Sequence, residues 1–253
     1  MTISSFLLLI LGLLGAGKVE AVDSVQHVGQ INTDKSVLFG AGRMAVGGDG
    51  TLYVADGYKN HVLIFGSKGE YKGEITVPKV SAVAVAPNGT LYIGSHKDYS
   101  VEIVKNGKVV GYLGAGAREL SSITDIAVDS QNGNVYVVDG KGSSVKVYSA
   151  SGALVKKIEG LHLPMGIAIA GNEVYVLDNP VVQDAATSSE TTAAEVKVYD
   201  KKGNIVRVFG EAGHEQYKLA NPTGIAVSGG YVYVSDAGRK AVLVYTAAGT
   251  CIG

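Results

Sequence analysis

Four aspartates recur at one place in the chain, each closing a short run of Val and Tyr: Asp56, Asp139, Asp178 and Asp236. Carboxylates repeated at matched positions could form a ring that binds a cation. At a strand end the same side chain can instead accept backbone N–H bonds in the turn to the next strand, as Asx turns do. Recurrence in almost every copy favours the turn, because catalytic groups tend to break a repeat. These four are expected to be structural turn carboxylates. One copy carries Ser95 at this place.

Five histidines, His27, His61, His96, His162 and His214, are the other candidates for metal chemistry. His61 and His96 follow the Tyr-bearing runs, whereas His162 and His214 precede small-residue runs. That scatter does not bring three ligands to matching inward places. No His-Glu-x-x-His, cysteine pair, Gly-x-Ser-x-Gly elbow or phosphate-cradling loop occurs. Gly114-Ala115-Gly116-Ala117 is glycine-rich, but no helical pattern follows it. The expectation is no catalytic residue, no cofactor and no metal. The single cysteine, Cys251, excludes an internal disulfide. It reads as a small apolar residue in a terminal strand, with an intermolecular bridge as the alternative.

These residues hang on a repeat. A strand-like core reads Leu52-Tyr53-Val54-Ala55-Asp56, then Leu91 to Ser95, Val135 to Asp139, Val174 to Asp178 and Val232 to Asp236, five copies in all. A small-residue strand precedes each core, as in Met44-Ala45-Val46 and Val83-Ala84-Val85. A third strand follows it, ending at Phe65, Val104, Tyr148, Tyr199 or Tyr245. Turn signals such as Asp49-Gly50, Asn88-Gly89 and Asn132-Gly133 separate the strands. Fourth strands run Tyr71 to Ile75, Val109 to Leu113, Leu154 to Ile158 and Ile205 to Phe209. Small side chains in the first strand and mixed ones in the fourth suit strands running from a narrow axis to a wet rim. The Tyr strand between them is apolar on both faces, as a doubly covered strand is. Such units must stack on their neighbours. The expected fold is all-β, a β-propeller of four-stranded antiparallel blades with five blades visible. A six-bladed parent is the alternative if the chain is a fragment.

The strings Leu163-Pro164-Met165-Gly166-Ile167-Ala168, Asn221-Pro222-Thr223-Gly224-Ile225-Ala226-Val227 and Lys59-Asn60-His61-Val62 resemble the NHL repeat. The resemblance runs over about residues 25–253 and recurs in every copy. It implies a propeller, usually of six blades, where this chain offers five. The segment Val25 to Ile31 looks like an orphan fourth strand. One reading pairs it with Ala241 to Tyr245 and closes the last blade; the other leaves it as a donor to a second copy. Some NHL-like propellers are lyases that hold zinc with channel histidines, and some bind RNA on a basic face. The formal net charge of -1 argues against a nucleic-acid partner.

Charged residues make up 18% of the chain and Gly numbers 35, too apolar for disorder and too glycine-rich for a helical bundle. Phe6 to Gly17 is an apolar run of twelve residues, followed by Val19-Glu20-Ala21. That pattern predicts a signal peptide at residues 1–21 and a propeller at 22–253, although no Lys or Arg precedes the run. The run is shorter than the roughly 20 residues of a membrane span. The expected location is secreted, periplasmic or extracellular, with no membrane span after cleavage.

One copy breaks the pattern. Its second and third strands are separated by the insertion Asn179 to Glu195, rich in Thr and Ser. Asp184, Thr187, Ser188, Ser189 and Glu190 are the candidate partner-binding residues there, since loops that interrupt a rigid repeat often carry function. A tolerated insertion is the plainer alternative. The functional expectation is an exported, non-enzymatic scaffold or binding module for a protein or glycan. The alternatives are a lyase or lactonase with a channel-bound metal, and a homo-oligomer that builds filaments through an open blade edge.

Overall fold

A computed structural model describes residues 38–116, 119–179, 194–210 and 218–252. Residues 1–37, and with them the expected leader, His27 and the segment Val25 to Ile31, lie outside the described residues, as does His214. Five antiparallel sheets succeed one another along the chain, the blades of an all-β propeller.

The first blade is β1 (Ala41–Val46), β2 (Leu52–Asp56), β3 (His61–Phe65) and β4 (Tyr71–Thr76), hydrogen-bonded in that order. The second is β5 (Val80–Val85), β6 (Leu91–Ser95), β7 (Ser100–Lys105) and β8 (Lys108–Leu113). The third is β9 (Ile123–Val128), β10 (Val135–Asp139), β11 (Ser144–Tyr148) and β12 (Leu154–Ile158). The fourth is β13 (Pro164–Ala170), β14 (Glu173–Asp178), β15 (Glu195–Asp200) and β16 (Ile205–Phe209). The fifth shows three strands among the described residues: β17 (Pro222–Ser228), β18 (Tyr231–Asp236) and β19 (Ala241–Thr246). Its fourth-strand position is entered by the chain itself, for Cys251 bridges to Tyr245 and the Ile252 N–H donates to the Val244 carbonyl at 2.8 Å. Phe65 meets Tyr71 and Tyr148 meets Leu154 at the same spacing in earlier blades.

Local chemistry explains these elements. β-Branched and aromatic residues fill the second and third strands. Asp49 and Asn88 close hairpins by accepting the N–H of the residue two places on, Thr51 at 2.9 Å and Thr90 at 3.0 Å. Gly50 and Gly89 follow them with φ of 80° each, a conformation that suits glycine.

The chain packs as two compact units, one holding the first three blades and the other the last two. In the first, Ala55 and Val62 pack with Val80, Val83, Leu91 and Ile93, joining its first two blades. Leu113 and Leu120 pack with Ile123, Val135 and Tyr148, joining its second and third. In the second unit, Tyr175, Leu177 and Phe209 pack with Val232, Val234 and Tyr245. Among the Tyr strands, β6 and β10 are covered on both sides, with all five residues buried, whereas β18 alternates buried and half-buried residues. The outer strands β8, β12 and β16 are largely exposed and bury only their last residue, Leu113, Ile158 or Phe209.

Candidate functional site

The repeated carboxylates point at their own blade's entrance. Asp56 accepts the N–H groups of Phe39 at 2.7 Å and Gly40 at 3.2 Å, just before β1. Asp139 accepts those of Ser121 and Ser122, Asp178 those of His162 and Leu163, and Asp236 those of Ala220 and Asn221. Three of them also take the N–H three residues on, at Lys59, Gly142 and Arg239, in the turn to the third strand. Each side chain thus clamps the incoming link to the outgoing turn. All four are essentially buried, at 2% exposure or less. Burial alone would raise the Asp56 carboxyl, but the N–H donors outweigh it and hold the group below its ordinary value.

Blades differ in what lies beside the clamp. On the third strand, one register position is Leu63, Glu102, Lys146, Lys197 and Leu243 in blade order, facing Val54, Ile93, Val137, Val176 and Val234. Lys146 Nζ reaches Asp139 Oδ2 at 2.7 Å and also donates to the Glu119 carbonyl. Lys197 Nζ reaches Asp178 Oδ2 at 2.8 Å and the Gly160 carbonyl at 3.1 Å. Burial would lower the Lys197 ammonium, yet Asp178 and Glu195 hold it above its usual range. In the second blade the clamp is rewired: Ser95 Oγ donates to the Pro78 carbonyl at 2.7 Å, and the His96 N–H donates to the Lys79 carbonyl. Here Glu102 occupies the lysine position, and burial followed by the nearby Asp98 raises its carboxyl.

The described histidines serve the blades separately. His61 Nδ1 lies 3.3 Å from Glu74 Oε2. His96 Nε2 lies 2.9 Å from the Ile123 carbonyl, so that nitrogen carries the proton. His162 Nδ1 lies 3.4 Å from Asp178 Oδ2. Among the described residues, no group of three or more His, Cys, Asp and Glu side chains could hold a metal ion. Every first strand carries a register shift beside the clamp, and a bulge re-aims side chains. In the first blade this aims Arg43 at the third blade, where Nε donates to the Thr124 carbonyl at 2.9 Å and lies 3.6 Å from Asp125.

The turns beyond the clamps form one contiguous face in the first unit. The Lys79 N–H donates to Asn60 Oδ1, the His96 N–H to the Lys79 carbonyl, and the Gly140 N–H to the Ser122 carbonyl. Three rings project from this face: Phe39 at 65% exposure, Tyr58 at 84% and Tyr99 at 45%. The Lys59 ammonium sits 4.9 Å above the Phe39 ring. Sequence reading did not single out these rings, because a Tyr inside a polar turn carries no periodicity signal. The insertion starts from the equivalent connection of the fourth blade, where Asp178 pairs with Glu195. Asp184, Thr187, Ser188, Ser189 and Glu190 themselves lie outside the described residues.

No protein-family model matches the chain, and no curated protein matches it. Its fold is similar to that of a gluconolactonase from Xanthomonas campestris, with a TM-score of 0.67 at 18% identity over 85% of this chain and 75% of that one. A chain of the nidogen/laminin complex gives 0.67 at 16% identity, over 84% and 78%. Kuenenia stuttgartiensis hydrazine synthase gives 0.63 at 18% identity, over 85% of this chain but 58% of that one. The chain thus spans little more than half of the hydrazine synthase chain. At such identities the likeness defines the class of fold alone, an all-β propeller with five blades here. The neighbours include an enzyme acting on a lactone and a component of a binding complex, so the class accommodates both roles.

Proposed function

We propose that the chain is an exported, NHL-like propeller without a catalytic centre, which presents its turn face to a protein or glycan. The observation that supports this most is the division of labour on that face. Its recurrent carboxylates are buried and committed to backbone amides, while rings and lysines stand outward. Buried, fully hydrogen-bonded carboxylates are poor acid–base catalysts, and exposed aromatics are typical of recognition surfaces. The insertion, with Asp184, Thr187, Ser188, Ser189 and Glu190, belongs to the same reading as an added contact loop. Residues 1–21 are proposed as the leader that delivers the domain outside the cell.

The rival reading is a propeller lactonase or lyase with a metal in its channel, motivated by the fold likeness to the gluconolactonase. Elemental analysis of the purified chain separates the two. The binding reading expects no stoichiometric metal. One tightly held zinc or calcium per chain, removed by chelation together with a lactonase or lyase activity, would overturn it.

A further inference from the structure

Resting on the binding-module reading, we infer that the turn face of the first three blades is a docking platform for an acidic, uronate-containing polysaccharide. Tyr99 carries the argument. It sits directly before β7 with φ of 50°, in the left-handed region. The residues directly before β3, β11 and β19 share this conformation and are Asn60, Ser143 and Lys240. Asn is well suited to it, whereas a bulky aromatic is strained there. A turn that needs Asn-like freedom here presents a half-exposed phenol ring, whose packing return is a tilted contact with the His96 ring at 6.4 Å between centroids. Strain of that kind is kept where a side chain has a task.

The rings and charges around it define the task. Tyr58 leans over Gly40, where a Cβ would come within 2.0 Å of the Tyr58 ring, and it leaves most of its surface to water. Lys79, Lys97 and Lys141 are exposed along the same run of turns, and none of them is in an ion pair among the described residues. Asp98 is the one exposed carboxylate among the described residues of these turns. Electron-rich ring faces attract the polarised C–H groups of a pyranose, and spaced ammonium groups match spaced carboxylates. Three separate exposed lysines suit a ligand with one charge per sugar better than a nucleic acid, whose binders cluster basic groups far more densely. An acidic peptide would call for a groove or a free strand edge, and this face is made of turns.

The test uses the full-length chain and isothermal titration against three probes: a short oligogalacturonate, its neutral galactose counterpart, and oligothymidylate of the same length. Oligogalacturonate should bind, with an affinity that falls as salt rises, and should outcompete both others. Tyr58→Ala, Tyr99→Asn and Lys97→Glu should each weaken it about tenfold, more than most interface residues cost when truncated. Tyr99→Asn keeps a residue that favours the turn, so its loss of binding is not a loss of fold. Equal or tighter binding of oligothymidylate would assign the face to nucleic acid instead. Uronate binding untouched by all three variants would place the glycan elsewhere, and absence of any carbohydrate binding would overturn the inference. Neither outcome bears on whether the chain holds a metal, so the two readings fail separately.

Discussion

The Lys146 ammonium lies 2.7 Å from Asp139 Oδ2, with the two side chains 11% and 1% exposed. The first and last blades manage the same clamp with Leu63 and Leu243 at the lysine position. The carboxylate is therefore required and the ammonium is not. Asp139→Ala should cost about 3–5 kcal/mol, since it strands a buried cation and several amides. Lys146→Leu should stay within about 1 kcal/mol of wild type, and the double variant should recover part of the Asp139→Ala loss. Urea midpoints of the three proteins decide this. A Lys146→Leu penalty as large as that of Asp139→Ala would mean the ion pair, not the clamp, holds the link.

Arg207 staples the fourth blade to the fifth. Its Nη1 and Nη2 reach the two Glu173 oxygens at 2.7 Å each, its Nε donates to the Ala247 carbonyl, and Nη2 donates to the Tyr175 hydroxyl at 3.1 Å. Burial, then the hydrogen bond to Glu173, pushes that phenol up to about 12. Tyr175→Phe should lose about 1 kcal/mol, the net worth of its hydrogen bonds. Tyr175→Ala should lose about 3–5 kcal/mol, because it also opens the core between the two blades. Thermal melts of both variants should show that order.

Two groups of carboxylates give opposite pH signs. Asp139 would be raised by burial, but Lys146, Ser121 and Ser122 outweigh it and hold it low, as amides do for Asp56. Their stabilisation is fully present above the unfolded value of about 4 and is lost as pH falls through the folded values. The chain should therefore lose stability progressively below about pH 4. Glu102 is raised, so the folded state holds its proton more tightly. Its contribution is intact below about pH 4 and is lost as pH climbs through its folded value. Glu102→Gln should raise the urea midpoint at pH 7 slightly, by under about 1 kcal/mol for a partly exposed group, and leave it unchanged in acid.

Tyr99→Asn should stabilise the isolated domain by about 1 kcal/mol, as relief of a strained left-handed residue. No change in the melting midpoint would remove the strain argument while leaving the exposed ring in place.

Replacing residues 180–193 by Lys141-Gly142 of the third blade's turn should leave stability within about 1 kcal/mol, since Asp178 and Glu195 already stand in hairpin register and Asn179 and Ala194 keep their bonds to Leu163 and Leu219. A large loss would show that the insertion packs on the blade and is more than a contact loop.

Blade number and strand order were readable because Tyr-strand and turn signals recur with little noise. The double burial of the Tyr strand was readable too, since apolar residues occupy both of its faces. The lysines were not readable. Val-Lys-Val-Tyr reads as a strand with one wet face, yet Lys146 and Lys197 are buried. Their burial depends on a carboxylate that is close in space but seven or nineteen residues away in sequence. The reach of each aspartate to amides 15–18 residues upstream was hidden for the same reason. A turn motif describes only its immediate neighbours.

Each aspartate fastens the entrance of its own blade, never that of the next. A joint cut between a fourth strand and the clamped pair, such as after Ile158 or after Phe209, severs none of these bonds. A segment excised at such joints carries its own fastening wherever it is spliced. Tandem duplication or loss of an aspartate-clamped blade then leaves its link amides with an acceptor, whereas the second blade, whose Lys79 N–H relies on Asn60 of the first, is the exception. The clamp is thus also a record of how such a chain grows, since its ancestry should be countable in whole blades and its recombination breakpoints should fall just ahead of each fastened pair.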